Sequence, residues 1–375
     1  MIQQFKAALK NNLLNIPGWK TRRKLIVFES DDWGSIRMPS KEAYLELLND
    51  GLKVDKHPYS KFDCLESEDD LTALFEVLTS HKDKKGNHPV ITANAIMANP
   101  DFDKIKESGF RQYYYELFTE TFKRYPRGHK RSFELWEEGI AAKVFVPQLH
   151  GREHLNVYRW MEALQAGSIE TLKAFDLQMF GIPSNITAEK RKSYMAAFDF
   201  DNEAEKSAHN EIIRDAAKIF EDTLGYKAVS FIAPNYTWHA DLEKTLAETG
   251  IKTIQSTKHQ NAPQGGENYK RILHYTGQVN THNQIITLRN CLFEPSESNS
   301  DWVNKCLKNI EVAFRWNKPA IISTHRLNFI GSVFEENRTN NLKMLDSLLS
   351  KILVRWPEAE FISSADLAAI INNEK

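Results

Sequence analysis

Eight short apolar runs, each continuous rather than alternating, constrain this chain more than any other feature. They are Lys24–Ser30 (KLIVFES), Pro89–Ile96 (PVITANAI), Val144–Leu149 (VFVPQL), Ala228–Ala233 (AVSFIA), Ile251–Gln255 (IKTIQ), Ile285–Arg289 (IITLR), Pro319–Thr324 (PAIIST) and Glu360–Ser363 (EFIS). A strand exposed on one face alternates apolar with polar. A continuous run is buried on both faces, which is the signature of a parallel sheet covered by helices. Helical periodicity fills the intervals. Lys41–Asn49 follows Ser40, an N-cap residue type, and stops before Gly51. Asp69–Thr79 spaces Leu71, Leu74, Phe75 and Leu78 along one face, and His209–Leu224 does the same with Ile212, Ile213, Ala216, Ile219 and Phe220 before Gly225. Ala240–Glu248, Asp301–Trp316 and Asn340–Leu353 complete the series. Alternating β and α units predict an α/β fold, specifically a distorted, TIM-like (β/α) barrel of seven or eight parallel strands. A doubly wound open sheet is the alternative, weakened by the lack of GxGxxG after the first strand. The expected organisation is one barrel domain over residues 1–375, with its core at about 24–364 and helical insertions at about 101–143 and 156–223.

Composition narrows function by exclusion. A formal net charge of -1 gives no bulk attraction to nucleic acid or to an anionic membrane. Cys64, Cys291 and Cys306 form no CxxC pair, which suits a reducing compartment and disfavours a thiolate metal cluster. No run of eighteen apolar residues occurs, and the N-terminus lacks a signal-peptide pattern, so the expectation is a cytoplasmic protein without an integral membrane span. Phe5, Leu9, Leu13 and Leu14 give the N-terminus an amphipathic pattern that reads as a helix packed on its own domain. The basic run FKRYPRGHKR reads as a solvated face.

In such barrels the chemistry gathers at the carboxyl ends of the strands. Here those ends carry Asp31-Asp32, His150-Gly151-Arg152-Glu153-His154, the segment Ala233–Trp238, Arg289-Asn290 and His325-Arg326. Adjacent carboxylates at a buried strand end repel one another and resist desolvation. A cation removes the difficulty, because its charge is the largest in its surroundings. Asp32 with His150 and His154 makes a two-imidazole, one-carboxylate set for a divalent metal, zinc first. The neighbouring carboxylate is then placed to take a proton from metal-activated water, and His325 is the natural proton donor to a leaving group.

These residues resemble the polysaccharide deacetylase family, the metal-dependent deacetylases with a NodB-type homology domain. The family's Thr-Phe-Asp-Asp-Gly motif is similar to Glu29-Ser30-Asp31-Asp32-Trp33-Gly34, and His-Ser/Thr-x-x-His is matched by His150–His154. Arg-x-Pro-Tyr/Trp resembles Ala233-Pro234-Asn235-Tyr236, and Leu-x-His resembles Ser323-Thr324-His325. The resemblance spans roughly Lys24 to Ser364 and implies a distorted barrel of about seven strands. It further implies Asp31 as general base, Asp32, His150 and His154 as ligands of Zn2+ (or Co2+, Ni2+ or Mn2+), and His325 as general acid. Tyr236 is implied as an oxyanion contact through its backbone N–H. The implied reaction is hydrolysis of an N- or O-acetyl group on a carbohydrate or related small amide.

The departures from the family pattern are informative. Trp33 stands where the family has Gly and is expected to narrow the site. Gly151 replaces a hydroxyl residue, and Ala233 replaces the arginine that orients the base, a charge that Arg289, Arg326 or Arg152 can restore. The fourth motif, an acidic segment that tunes the general acid, is not recognisable, although Arg289–Glu294 lies at about its place. Substrate contacts are expected from Trp33, Asn235, Trp238, Arg289 and Arg326, with Tyr236 and His239 adding to the aromatic surface for sugar stacking. The insertions are expected to lid the site or to mediate self-association into a homo-oligomer. Two other readings remain. One is a glycoside hydrolase using Glu29 or Asp31 with Glu153 or Glu294, which leaves the histidines without a role. The other is an inactive carbohydrate-binding descendant.

Overall fold

The computed structural model describes residues 12–125 and 128–374. All eight apolar runs become strands: β1 (Lys24–Trp33), β2 (Ile91–Ile96), β3 (Phe145–Gly151), β4 (Ser230–Ile232), β5 (Thr253–Ser256), β6 (Ile285–Leu288) with its continuation β7 (Cys291–Leu292), β8 (Ala320–His325) and β9 (Ala359–Phe361). Every residue of β2, β4, β5 and β6 is buried, as continuous apolar runs require. Their order is β6-β5-β4-β3-β2-β1-β8-β7, with β9 beside the start of β1, and these neighbours are all parallel. The two ends of that list are consecutive in the chain. Arg289 N–H donates to Ser256 O on β5 at 3.0 Å, and Asn290 N–H donates to Ile321 O on β8 at 3.1 Å. One broken strand therefore serves both edges, and the sheet closes into an α/β barrel at Arg289–Asn290.

Helices cover the outside. Lys41–Asn49 has the expected Ser40 cap, whose side chain accepts from Ala43 N–H. Two helices run beyond the sequence expectation, as Glu203–Leu224 and Glu335–Arg355. Their first turns are charged and face solvent, so apolar periodicity cannot report them. The start of the first is marked instead by Asn202, which caps Ala204 and Glu205 N–H. Asp301 likewise caps Trp302–Arg315. An antiparallel hairpin of His259–Pro263 and Tyr269–Leu273 was not anticipated, because its second strand is exposed and polar and carries no apolar run. In the basic run Lys123 pairs with Glu120, Arg124 with Glu116, and Arg131 with Glu134 and Glu138. Phe122, Tyr125 and His129 are buried, so the run is only in part a solvated face; Pro126 and Arg127 lie outside the described residues. Phe5 and Leu9 lie outside the described residues, and Leu13 is about half exposed. Among the described residues no helix is long and apolar enough to cross a membrane.

The helix Glu68–Thr79 begins two residues after Glu66, whose carboxylate accepts Gly34 N–H just beyond the end of β1. It opens with a reciprocal capping box between Ser67 and Asp70. Ser67→Ala removes the Oγ that accepts Asp70 N–H and is expected to cost about 1 kcal/mol. The measurement is a urea unfolding midpoint, and an unchanged midpoint would show that the helix start is held elsewhere.

Candidate metal centre and acid–base site

Two β-bulges build the rim. Along the β1–β2 pairing, Ser30 sits opposite Ala93 and Trp33 opposite Ala95, so Asp31 and Asp32 share the single residue Asn94. Asp32 takes a left-handed φ of +77°, a conformation that costs a non-glycine residue about 1–3 kcal/mol. A bulge re-aims side chains. Here it turns both carboxylates toward one cavity, while Trp33 points the other way. On β3, Leu149 pairs with Ala95 and Gly151 with Ile96, which leaves His150 as the extra residue. The chain leaves β1 through Gly34 at φ +78°, where a Cβ would meet Ile96 O at 2.7 Å.

Asp32, His150 and His154 converge, with one ligand atom from each within 4.8 Å of the others. Both imidazoles turn Nε2 toward Asp32 Oδ1, at 3.6 Å for His150 and 3.4 Å for His154. His150 Nδ1 lies 2.9 Å from Ile232 O. With the ring proton donated there, the Nε2 lone pair faces the carboxylate, as it does in metal-ligating histidines. Asp32 Oδ1 and His150 Nε2 are buried without a hydrogen-bond partner, a costly arrangement that a cation between them would relieve. Burial also pushes His154 down to about 3, keeping a neutral ring available for ligation. Burial alone would raise Asp32, but Arg37 and then His154 outweigh it and hold the carboxyl well below the usual range. The donor set, one carboxylate and two neutral imidazoles, fits a divalent first-row ion.

Asp31 lies on the other side of the bulge in a different environment. Arg289 clasps it with two parallel bonds, Nη2 to Oδ1 at 2.6 Å and Nη1 to Oδ2 at 2.7 Å, and Asn94 Nδ2 adds a third at 2.7 Å. Arg289 Nε is anchored on Glu29 at 2.8 Å, and Ser364 Oγ donates to the other Glu29 oxygen at 2.7 Å. Burial works to raise Asp31, but the guanidinium wins and holds the carboxyl far below its ordinary value. Facing it, His325 places Nε2 at 3.7 Å from Asp31 Oδ2 and donates Nδ1–H to Glu294 Oε1 at 2.7 Å. Asn328 Nδ2 holds the second Glu294 oxygen at 2.7 Å. Burial disfavours the charged ring, yet Glu294, with Asp31 and Asp32 behind it, pushes His325 up to about 9. One group is thus an ionised acceptor and the other a protonated donor at neutral pH, the division of labour that acid–base chemistry requires.

The cavity between them has a volume of about 320 Å³, and Asp31, Asp32, His150, His154, Asn235, Tyr236 and His325 line it. Several expected contacts are elsewhere. Trp33 is buried in the outer layer, edge-on to Phe145 with Nε1–H donating to Ser30 Oγ, so it does not narrow the site. Trp238 is fully buried, stacked on His274 and bonded to Glu243, and it lines no part of the cavity. His239 is buried against His209. Arg326 is sequestered with Asp63 and Glu66, and Arg152 with Glu153 and Asp215. Arg289 is therefore the arginine that orients Asp31, lying beneath that carboxylate and outside the cavity wall. The Tyr236 N–H is spent on the turn Pro234–Tyr236, where it donates to Ala233 O at 2.9 Å and does not face an oxyanion. Its phenol oxygen accepts from Arg289 Nη1 at 3.2 Å.

Sequence reasoning missed the roles of Arg37, His57, Tyr59 and Glu294. Arg37, His57 and Tyr59 line the cavity, and the Tyr59 ring meets that of His325 edge-on at 5.3 Å. Glu294 had a signal, since it falls where the fourth motif was sought. His57 and Tyr59 had none, because they lie in a short helical loop far from any strand end. The second insertion supplies the remaining wall through Met179–Met195.

No protein-family model matches the chain, and no curated protein matches its sequence. Solved structures do match in fold. A "probable polysaccharide deacetylase" from Pseudomonas aeruginosa PAO1 superposes with a TM-score of 0.50 at 10% identity, covering 94% of this chain and 92% of that one. PuuE allantoinase is similar at a TM-score of 0.46 and 10% identity, over 94% and 91% of the two chains. A CE4 family pseudoenzyme from Bacillus anthracis gives 0.36 at 9% identity, over 92% and 66%. The barrel is thus of the kind seen in the Pseudomonas protein.

Proposed function

We propose that the chain is a metal-dependent hydrolase of polysaccharide deacetylase type, removing an acetyl group, N- or O-linked, from a carbohydrate or related small amide. One observation carries this reading: the unpartnered Asp32 Oδ1 and His150 Nε2 lie in the same cavity as an arginine-clamped Asp31 and a glutamate-paired His325. Asp32, His150 and His154 would hold the ion, zinc first, with cobalt, nickel or manganese as alternatives. An ion held there would supply Lewis-acid polarisation of an acyl carbonyl and a lowered pKa for water. Asp31 takes the proton from the attacking water, its carboxylate fixed by Arg289 and Asn94. His325 would deliver a proton to the departing nitrogen or oxygen, and the proton that Asp31 takes from water would then return to the imidazole, whose charged form Glu294 stabilises. The glycoside hydrolase alternative loses support, because Glu29, Glu153 and Glu294 are all engaged outside the cavity lining.

The test is elemental analysis of the purified protein. The expected result is about one equivalent of divalent metal. Chelation should remove it, lower the melting temperature and stop acetate release from acetylated sugars. Metal-free protein indifferent to a chelator would overturn the proposal. Bound metal without turnover across an acetyl-sugar panel would point to the inactive descendant.

A further inference from the structure

Asp31 does not use its two oxygens alike. An ionised carboxylate oxygen offers two lone-pair sites. Oδ1 accepts from Arg289 Nη2 at 2.6 Å and from Asn94 Nδ2 at 2.7 Å, so both of its sites are taken. Oδ2 accepts from Arg289 Nη1 at 2.7 Å, and it is the oxygen that faces His325 Nε2, at 3.7 Å. Among the described residues nothing else donates to Oδ2, which keeps one site open to the cavity. The arginine gives one bond to each oxygen and cannot tell them apart. Asn94 makes the difference.

Asn94 is on β2, opposite the bulge, and its amide is held from the far side of the barrel. In the sheet β3 and β4 stand between β2 and β5, yet Asn94 meets Gln255 of β5 across the interior in a reciprocal pair. Asn94 Nδ2 donates to Gln255 Oε1 at 2.9 Å, and Gln255 Nε2 donates back to Asn94 Oδ1 at 3.0 Å. The other Gln255 N–H goes to Ser230 Oγ on β4 at 2.9 Å, and the Ser230 hydroxyl donates to Gln148 Oε1 on β3 at 3.1 Å. That last oxygen cannot be exchanged for the Gln148 nitrogen, because the backbone N–H groups of Val229 and Ser230 donate to it at 3.0 and 2.8 Å. Ser230 therefore has an acceptor for its proton and turns a lone pair to Gln255. Turning either amide of the pair alone would set oxygen against oxygen, and turning Asn94 would also aim its Oδ1 at the Asp31 carboxylate. Hydrogen-bond polarity thus runs from the backbone at the start of β4 to Asp31 and ends there on a donor.

Asn94, Gln255 and Ser230 are fully buried, in an interior that barrels ordinarily fill with bulky apolar side chains. A buried polar network rigidifies its surroundings when every member is satisfied, and here both N–H bonds of each amide have acceptors. We infer that the Asn94–Gln255 pair assigns the two oxygens of Asp31: Oδ1 is saturated and fixed, and Oδ2 is the atom that takes the proton from water. Gln255 is on this view a positioning residue, acting through Asn94 on a base it does not touch. The inference rests on the proposed function in that Asp31 is the base.

Gln255→Met, close in size but without the amide, tests this. Its kcat for acetate release should fall about 10-fold with KM within about 2-fold of wild type, because the defect is felt in the proton transfer and not in binding. Added to Asn94→Ala, the same change should cost less than about 2-fold more, since nothing is left for it to act through. A crystal structure of Gln255→Met should show Asn94 Nδ2 out of hydrogen-bond reach of Asp31 Oδ1, with Asp32, His150 and His154 in place. Metal content and melting temperature are recorded for each variant, so that a disturbed centre is not mistaken for a misplaced base. Should Gln255→Met not fold, Ser230→Ala removes a single hydroxyl and should lower kcat by a smaller factor, again at constant KM. Wild-type kcat in the folded variant overturns the inference. So does a loss that multiplies in full with that of Asn94→Ala, or one that occurs with the Asn94–Asp31 bond intact. A wild type that releases no acetate fails the hydrolase and this inference together, whereas an active wild type with an indifferent Gln255→Met fails this inference only.

Discussion

Asp31→Asn is expected to reduce acetate release by about 10²- to 10⁴-fold, the range a positioned general base supplies, with metal content unchanged. The geometry separates this residue from its neighbour. Asp31 is bound to Arg289 and Asn94, and asparagine can keep part of that hydrogen bonding while losing the ability to take a proton. Asp32 has an oxygen aimed at His150 and His154 without a hydrogen-bond partner, so Asp32→Asn should instead lose the metal, and activity with it. Metal analysis and single-turnover acetate assays on the two variants decide the matter. The reverse pattern, with metal lost from Asp31→Asn and retained in Asp32→Asn, would show the two roles to be exchanged.

The largest stability effect is expected from a residue that touches no substrate. Arg326 is fully buried, donating to Asp63 and, at 2.7 Å, to Glu66 Oε2. Glu66 in turn accepts Gly34 N–H at 3.0 Å, directly after the bulged carboxylates. Arg326→Met leaves two buried carboxylates without their cation and should cost about 3–5 kcal/mol in denaturant unfolding. A companion variant that also replaces Asp63 and Glu66 with apolar residues of similar size should recover part of the loss, because the unpaired carboxylates are gone while Gly34 N–H and Arg37 still lose a partner. A loss below about 1 kcal/mol in Arg326→Met would mean that water or a shifted side chain compensates those carboxylates.

Burial explains what the sequence revealed and what it hid. Strands buried on both faces wrote themselves as continuous apolar runs, so the barrel was legible. The convergence of Asp32, His150 and His154 was legible too, because Asp and His at strand ends have few structural reasons to be there. Side-chain direction was not. Trp33 and Asp32 are adjacent, yet the bulge and the left-handed backbone at Asp32 send one into the outer core and the other into the cavity. Nothing in the residue types announces that slip in register. Arg289 and Arg326 were equally plausible partners for Asp31 on paper. The choice between them was made by Asp63 and Glu66, which lie in a loop without any chemical motif and claim Arg326 for themselves. Likewise, the Tyr236 amide was assigned by analogy, whereas a three-residue turn had already used it.

The closure of the barrel at Arg289–Asn290 has a consequence of its own. The backbone of Arg289 is hydrogen-bonded to β5, that of Asn290 to β8, and the Arg289 side chain grips Asp31. Barrel closure and the fixing of Asp31 therefore share one residue. If the seam parts, even briefly, Asp31 loses the cation that fixes it, and the barrel cannot open while keeping that pair intact. The exchange rate of the Arg289 and Asn290 amides with deuterated solvent is thus a gauge of how much of the population has the seam closed at any moment.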